Sequence, residues 1–370
     1  MRDPIAVRAV VLRRQGEQVA IEELLLDPPG DGEVLVRILA SGVCRSDLHV
    51  RDGDWPRPTP VVVGHEGAGI VEAVGPGVTA PRVGELVVLS WYAPCLRCAA
   101  CRVGRQWLCS GSSSGTHRLP GGRAPFRDPA GAEVLGYLGI GTMAERVVVA
   151  AEAAVAVPAT IDPASAALIG CAVSTGVGAV IRTADVPAGA AVAVIGLGGV
   201  GLSVVMGATL AGADPIVAVD LDSAKLRLAA ELGATATVLS TDAEETAEAI
   251  RDATGGGPEF AFEAVGLAAT AELAIATLRP GGTAVLVGIP AVGDRASFAV
   301  YPFVDGGRRI VGSDYGSTVA SRDFPLYVRM CLDGRLPVGR LVEERIAMDE
   351  AEDALAALRR GEGARRVIVP

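Results

Sequence analysis

The stretch Ala191–Asp220, AVAVIGLGGVGLSVVMGATLAGADPIVAVD, decides how this chain folds. Two short apolar runs, Ala191–Ile195 and Ile216–Val219, flank a segment whose glycines crowd at one end. Gly196, Gly198 and Gly201 stand in the spacing G-x-G-x-x-G, with Leu197, Gly199 and Val200 between them. That spacing is a weak signal alone. Here it leaves a predicted strand and opens a predicted helix, and the second strand ends in Asp220, 19 residues beyond Gly201. Glycines let the backbone approach a pyrophosphate, and the helix N-terminus favours its charge. A carboxylate at the end of the second strand accepts hydrogen bonds from the adenosine ribose. Asp220, with Asp222 close behind, repels a 2′-phosphate, so these residues favour NAD over NADP. Ala190–Ala213 carries no charge and is long enough to suggest a membrane span. Its clustered glycines fit a buried strand, a turn and a buried helix better.

Outward from this stretch the alternation continues. Strand patterns at Phe260–Phe262 and Thr283–Val287, and helical patterns from Val200 and Ser223, predict a doubly wound parallel sheet. Before about residue 155 the texture differs. Val34–Ile38, Gly69–Val74 and Leu86–Leu89 are short strand-like runs cut by Gly and Pro, as in a β-rich, partly barrel-like domain. Residues 111–133, rich in Gly, Ser, Pro and Arg, read as a long surface loop. The tail predicts a helix near Glu350–Arg360 and a strand Arg366–Val369. A chain of 370 residues suggests two domains. Its net charge of −10, with no basic run, argues against nucleic acid or an anionic membrane as partner. Met1-Arg2-Asp3-Pro4 lacks the apolar run of a signal peptide, which leads us to expect a cytoplasmic protein with reduced thiols.

Six of the seven cysteines form two groups. Cys95, Cys98, Cys101 and Cys109, in C-x2-C-x2-C-x7-C, can close a tetrahedron around a structural zinc. An iron–sulfur site is the alternative. Cys331 reads as a small buried apolar residue. Cys44, His65 and Cys171 are far apart, and nothing in their spacing brings them together; a histidine in the apolar run Val61–His65 is as readily a core residue. The stretch Gly42–His49 strengthens the metal reading, because it places a thiolate, a hydroxyl (Ser46), a carboxylate (Asp47) and an imidazole (His49) together. Ser46 and His49 offer a proton route, and Asp47 could orient a histidine ligand. Three ligands with an open fourth position are the pattern of catalytic zinc.

On Gly42–Asp47, Gly64-His65-Glu66, the four-cysteine lobe, Gly170–Gly176 and Gly196–Gly201 with Asp220, the chain resembles the zinc-dependent medium-chain alcohol dehydrogenases over nearly its whole length. The resemblance implies an α/β protein with a GroES-like β-rich catalytic domain, residues 1–171, carrying a structural zinc lobe at 90–112. A Rossmann NAD-binding domain, 172–313, follows, and 314–370 returns to the catalytic domain. It implies NAD and two zinc ions per chain. The catalytic zinc would be held by Cys44, His65 and Cys171, with Glu66 behind it or ligating transiently. Ser46 and His49 would relay a proton through the cofactor ribose. Lys225 would be a second adenosine-ribose contact, Thr175 and Val287 nicotinamide neighbours, and Arg365 a pyrophosphate contact.

By position relative to the ligands, Trp55 and Trp91 would face the substrate, with Tyr137, Leu138 and Ile289 nearby. Flat walls suit an aryl or planar alcohol; alternatively, one or both tryptophans plug the barrel. The implied activity is hydride transfer between a primary or secondary alcohol and NAD. The alternatives are a polyol or thiol–formaldehyde adduct as substrate, or a non-catalytic relative, which would usually lack ligands that are all present here. Sheet-edge contacts through Thr283–Val287 and Phe298–Ile310 would make a homodimer or homotetramer.

Overall fold

The computed structural model describes residues 3–363 and 365–370; Met1, Arg2 and Ala364 lie outside the described residues. The chain divides into two compact units. The first comprises residues 1–171, 319–334 and 338–370, the second residues 172–318 and 335–337. The chain thus leaves the second unit at 318 and not at 313 as expected. Side chains hold the extra residues there. The Thr183 hydroxyl lies 2.9 Å from that of Ser313 and 2.8 Å from that of Ser317, and Thr318 donates to the Ser174 carbonyl.

The second unit is a six-stranded parallel sheet of Val192–Ile195, Ile216–Asp220, Ala236–Leu239, Phe260–Glu263, Thr283–Leu286 and Arg309–Gly312. Their spatial order is third, second, first, fourth, fifth, sixth, with the chain crossing over at the first strand. Val192–Ile195 is buried at every position. That is what a central parallel strand covered on both faces requires, and why it reads as a continuous apolar run. The uncharged stretch from Ala190 resolves into this strand and the helix Gly199–Ala211.

The first unit contains a closed barrel of Ile5–Leu12, Ala20–Leu26, Phe126–Arg127, Glu133–Gly136 and Val61–Val62. It also contains a seven-stranded sheet centred on Glu33–Gly42. The C-terminal strand Arg365–Ile368 pairs antiparallel with Glu33–Gly42, Val367 opposite Gly42, so its first residues lie beside Val43, next to Cys44, and the chain then runs away from them. A 22-residue helical segment, Pro163–Ala184, is apolar enough to cross a membrane, yet 94% of its most apolar window is buried inside the protein.

Residues 111–133 are more than the surface loop expected. Leu119, Ala124 and Phe126 are buried, and Phe126–Arg127 pairs with both Ala20–Leu26 and Glu133–Gly136 to close the barrel. A two-residue strand is too short to show periodicity, so its glycine- and proline-rich flanks dominated the reading.

Candidate active site and zinc centres

Helix Arg45–Asp52 begins at Cys44. Asp47, fully buried in its first turn, accepts the Cys44 N–H at 3.0 Å and the Gly64 N–H at 3.0 Å. The same carboxylate lies 3.1 Å from His65 Nδ1. One side chain therefore ties two distant segments together and points the other imidazole nitrogen at Cys44. Gly64 makes the approach possible. Its φ is +91°, and a Cβ there would lie 2.6 Å from Met143. Cys171 arrives from the apolar helix, where Ile169–Val173 has π-helical geometry, a widening common at functional sites. Gly170 lets that helix close on the sheet, since a Cβ would stand 2.7 Å from the Leu89 carbonyl.

One ligand atom from each of Cys44, His65, Glu66 and Cys171 lies within 4.8 Å of the others, all buried. His65 Nε2 and both Glu66 carboxylate oxygens are buried without a hydrogen-bond partner among the described residues. Such orphaned acceptors are costly unless something occupies the space between them. Two thiols and an imidazole whose Nδ1 is already engaged are the donor set that zinc takes, so the residues fit the metal.

Arg365, expected at a pyrophosphate, is buried in this unit. It donates to the Val43 carbonyl at 2.8 Å and stands 3.3 Å from Glu66. Burial pushes Glu66 up to about 7 against the pull of Arg365. The hydrogen bond from Cys171, with Arg365 and His65, holds the Cys44 thiol well below its ordinary range despite burial. The same pairing and burial push Cys171 up. Burial lowers His65, but Asp47 and Cys44 outweigh it and raise it well above an ordinary histidine.

Around this cluster, Ser46 Oγ is 3.8 Å from Cys44 Sγ. His49 Nδ1 is 2.7 Å from Asp54, and its ring stacks on Trp55, centroids 4.8 Å apart. Trp55 and Tyr137 are buried in one hydrophobic cluster, whereas Trp91 packs half-buried against the barrel core. Tyr137 meets His65 edge-on at 5.4 Å and His117 at 5.2 Å.

His117 escaped the sequence reading. It lies in a stretch with no helical or strand period, and its only signal is that the chain has three histidines. It is fully buried, its Nδ1 3.1 Å from the Leu138 N–H and 3.0 Å from the Ser114 carbonyl. Leu138 itself has a φ of +52°. Burial pushes His117 down to about 4. The folded state therefore refuses a proton that the unfolded chain accepts near pH 6.5. Stability is full above that pH and falls as the pH drops toward 4. Between pH 7 and pH 5 this group should cost the wild type about 2 kcal/mol. Over that range the wild type should lose about 2 kcal/mol more stability than His117→Gln, a difference that urea unfolding of both proteins at the two pH values measures.

The second cluster is Cys95, Cys98, Cys101 and Cys109, their sulfurs also within 4.8 Å of one another. The turn between the first two ligands holds Leu96 at a φ of +57°, and the Arg97 and Cys98 N–H groups donate to the Cys95 sulfur. The Cys101 N–H, foremost, pulls Cys98 down to about 5, whereas burial foremost pushes Cys101 up to about 12. Four thiols at this spacing fit a closed tetrahedral zinc site.

In the second unit the glycine loop is built for close approach. Gly196 has a φ of +91°, and a Cβ on Gly201 would stand 1.8 Å from the Gly196 carbonyl. Gly198 faces open space and leaves the N-terminus of helix Gly199–Ala211 without a side-chain cap. A pyrophosphate would need that space and those free N–H groups. Asp220 accepts the Leu197 N–H at 2.7 Å and the Asp222 N–H at 3.0 Å, and Asp222 caps the helix Ser223–Glu231 that carries Lys225. Thr175 and Val287 are buried, while Ile289 is 54% exposed.

A nucleotide-binding sheet with this glycine loop, in one chain with two thiolate-rich metal clusters, defines a class: the zinc-binding dehydrogenases. Residues 30–159 match the alcohol dehydrogenase GroES-like domain family, and residues 199–333 the zinc-binding dehydrogenase family. The chain is 34% identical over 366 residues to S-(hydroxymethyl)glutathione dehydrogenase of Synechocystis sp., covering 98% of this chain and 99% of that protein. Among solved structures it is similar to an alcohol dehydrogenase zinc-binding domain protein from Burkholderia ambifaria, with a TM-score of 0.93, 37% identity and 100% of each chain covered. It is also similar to benzyl alcohol dehydrogenase from Acinetobacter calcoaceticus, with a TM-score of 0.92, 32% identity and 99% of each chain covered. The chain belongs to the zinc-dependent medium-chain alcohol dehydrogenase family.

Proposed function

We propose that this protein is an NAD- and zinc-dependent alcohol dehydrogenase whose substrate is a primary or secondary alcohol bearing an aryl or other planar group. The observation that carries the reading is the buried set Cys44, His65 and Cys171, with His65 Nε2 unpartnered and Nδ1 held by Asp47. When bound, zinc supplies Lewis acidity toward the substrate oxygen and NAD supplies the hydride acceptor. The chain supplies the rest. Cys44 and Cys171 balance the metal's charge, and Asp47 fixes the histidine. Arg365 offsets the charge of Glu66 behind the ligands. Ser46 and His49 carry away the hydroxyl proton, and Asp220 disfavours the extra phosphate of NADP. The benzyl alcohol relative supports the aryl substrate.

A thiol–formaldehyde adduct is the second reading, favoured by the Synechocystis relative. Initial rates with ethanol, allylic, benzylic and polyol substrates, and with formaldehyde plus and minus thiols, separate the two. Highest kcat/KM on benzylic alcohols, lowered more for them than for ethanol by Trp55→Ala, supports the first. Thiol-dependent formaldehyde oxidation as the best reaction overturns it.

The reduced thiols that both clusters require suit a cytoplasmic protein. For assembly we propose a homodimer or homotetramer built on the strand Arg309–Gly312. Among the described residues it pairs on one side only, and Val300, Tyr301 and Val304 nearby are 65%, 81% and 70% exposed.

A further inference from the structure

We propose that Asp54 is a positioning residue for His49, fixing which imidazole nitrogen offers a lone pair to the proton relay. This rests on the relay assigned above, and it adds a carboxylate to it. The contact is short, 2.7 Å between the Asp54 carboxylate and His49 Nδ1. The turn that creates it is built for the purpose. Helix Arg45–Asp52 ends at Gly53, whose φ of +86° only glycine adopts readily. The Gly53 and Trp55 N–H groups both donate back to the His49 carbonyl, at 3.1 and 3.4 Å. Gln15 then pins the turn from another strand connection, donating to the carbonyls of Val50 and Trp55 at 2.7 and 2.8 Å. The chain thus reverses immediately after the helix and returns a carboxylate to the edge of the ring and an indole to its face, the two planes 22° apart.

A carboxylate only accepts, so Nδ1 carries the hydrogen and Nε2 the lone pair. Nε2 can then take the one proton that leaves the substrate hydroxyl. The resulting imidazolium keeps its Nδ1–H on Asp54 and returns the Nε2 proton to water. No electrons move in this step, and His49 ends as it began. An exposed ion pair contributes little to stability. Asp54 is 42% exposed, so a purely structural role predicts almost nothing from its removal.

The test has two arms. The first is nitrogen-15 NMR of the imidazoles at a pH where His49 is neutral. Three histidines make the spectrum simple, and His49→Gln assigns the signal. We expect His49 as the Nδ1–H tautomer in the wild type and as the commoner Nε2–H tautomer in Asp54→Ala. An Nε2–H wild type, or no change in Asp54→Ala, overturns the proposal. The second arm is steady-state kinetics with benzyl alcohol and NAD. Asp54→Ala should lower kcat about tenfold to a hundredfold, with KM within about twofold and two zinc ions retained. Asp54→Glu should recover most of the loss. In a His49→Gln background Asp54→Ala should cost nothing further, because the two act as a unit. Full multiplication of the two losses overturns the proposal. Were the wild type itself inactive on every alcohol, the functional reading would fall, while the tautomer arm would still decide the role of Asp54.

Discussion

Replacing His65 with alanine should reduce the zinc content from two ions per chain to one and lower kcat/KM for the best alcohol by at least about 1,000-fold. The ligand supplies one of three protein bonds to the metal, and the one neighbour in reach, the Glu66 carboxylate, is a harder donor than the imidazole and faces Arg365. Asp47 is committed to the backbone of Cys44 and Gly64. Losing the Lewis acid removes several kcal/mol of charge stabilisation, which is three or more powers of ten in rate. The Asp47 carboxylate would also face an empty buried space in place of the ring it held. Metal analysis alongside initial rates checks the prediction. A variant that keeps two zinc ions and turnover within tenfold would show that His65 is a core histidine.

The second large effect concerns the four-cysteine lobe. Cys98→Ala should leave one zinc, at the catalytic cluster, and make the lobe susceptible to trypsin at Arg97, Arg102 and Arg105, all exposed in the intact protein. The lobe has no core of its own. Its short helix Ala99–Arg102 buries no residue, and Leu96, Val103 and Leu108 are 59%, 70% and 51% exposed. Where apolar burial is missing, the metal is the staple, and its binding energy is folding energy. The unfolding temperature should drop by several degrees as the segment opens. A lobe that stays protease-resistant with unchanged zinc content would mean that backbone contacts alone hold it.

Much of this was legible in the residues. The centre of the nucleotide-binding sheet was clear because Val192–Ile195 and Ile216–Val219 are buried on both faces and the glycines are forced by close contacts, as at Gly196 and Gly201, whereas the exposed edge strands Ala236–Leu239 and Arg309–Gly312 gave no such run. The lobe was clear because its four ligands are local. The catalytic cluster was only partly legible. Cys44 and His65 owe their meeting to Asp47, and Cys171 comes from a helix more than 100 residues on. Long-range closure of that kind leaves no spacing to read. His117, Asp54 and the burial of Arg365 beside Glu66 were hidden for the same reason: each depends on a turn or a tail strand returning to the site. The loop at 111–133 misled because isolated apolar residues among glycines and prolines carry no period, although Leu119 and Phe126 complete the barrel core.

If Cys44, His65 and Cys171 hold the catalytic zinc, hydride transfer from an alcohol to NAD should depend on that metal. The measurement that tests it most directly is absorbance in the NADH band with NAD and benzyl alcohol, taken on the intact protein, after chelation of the catalytic zinc, and after zinc is restored. NADH should form on the intact protein, stop forming when the zinc count falls from two to one, and form again once the metal is restored. NADH formation that persists unchanged with the catalytic cluster emptied would contradict it.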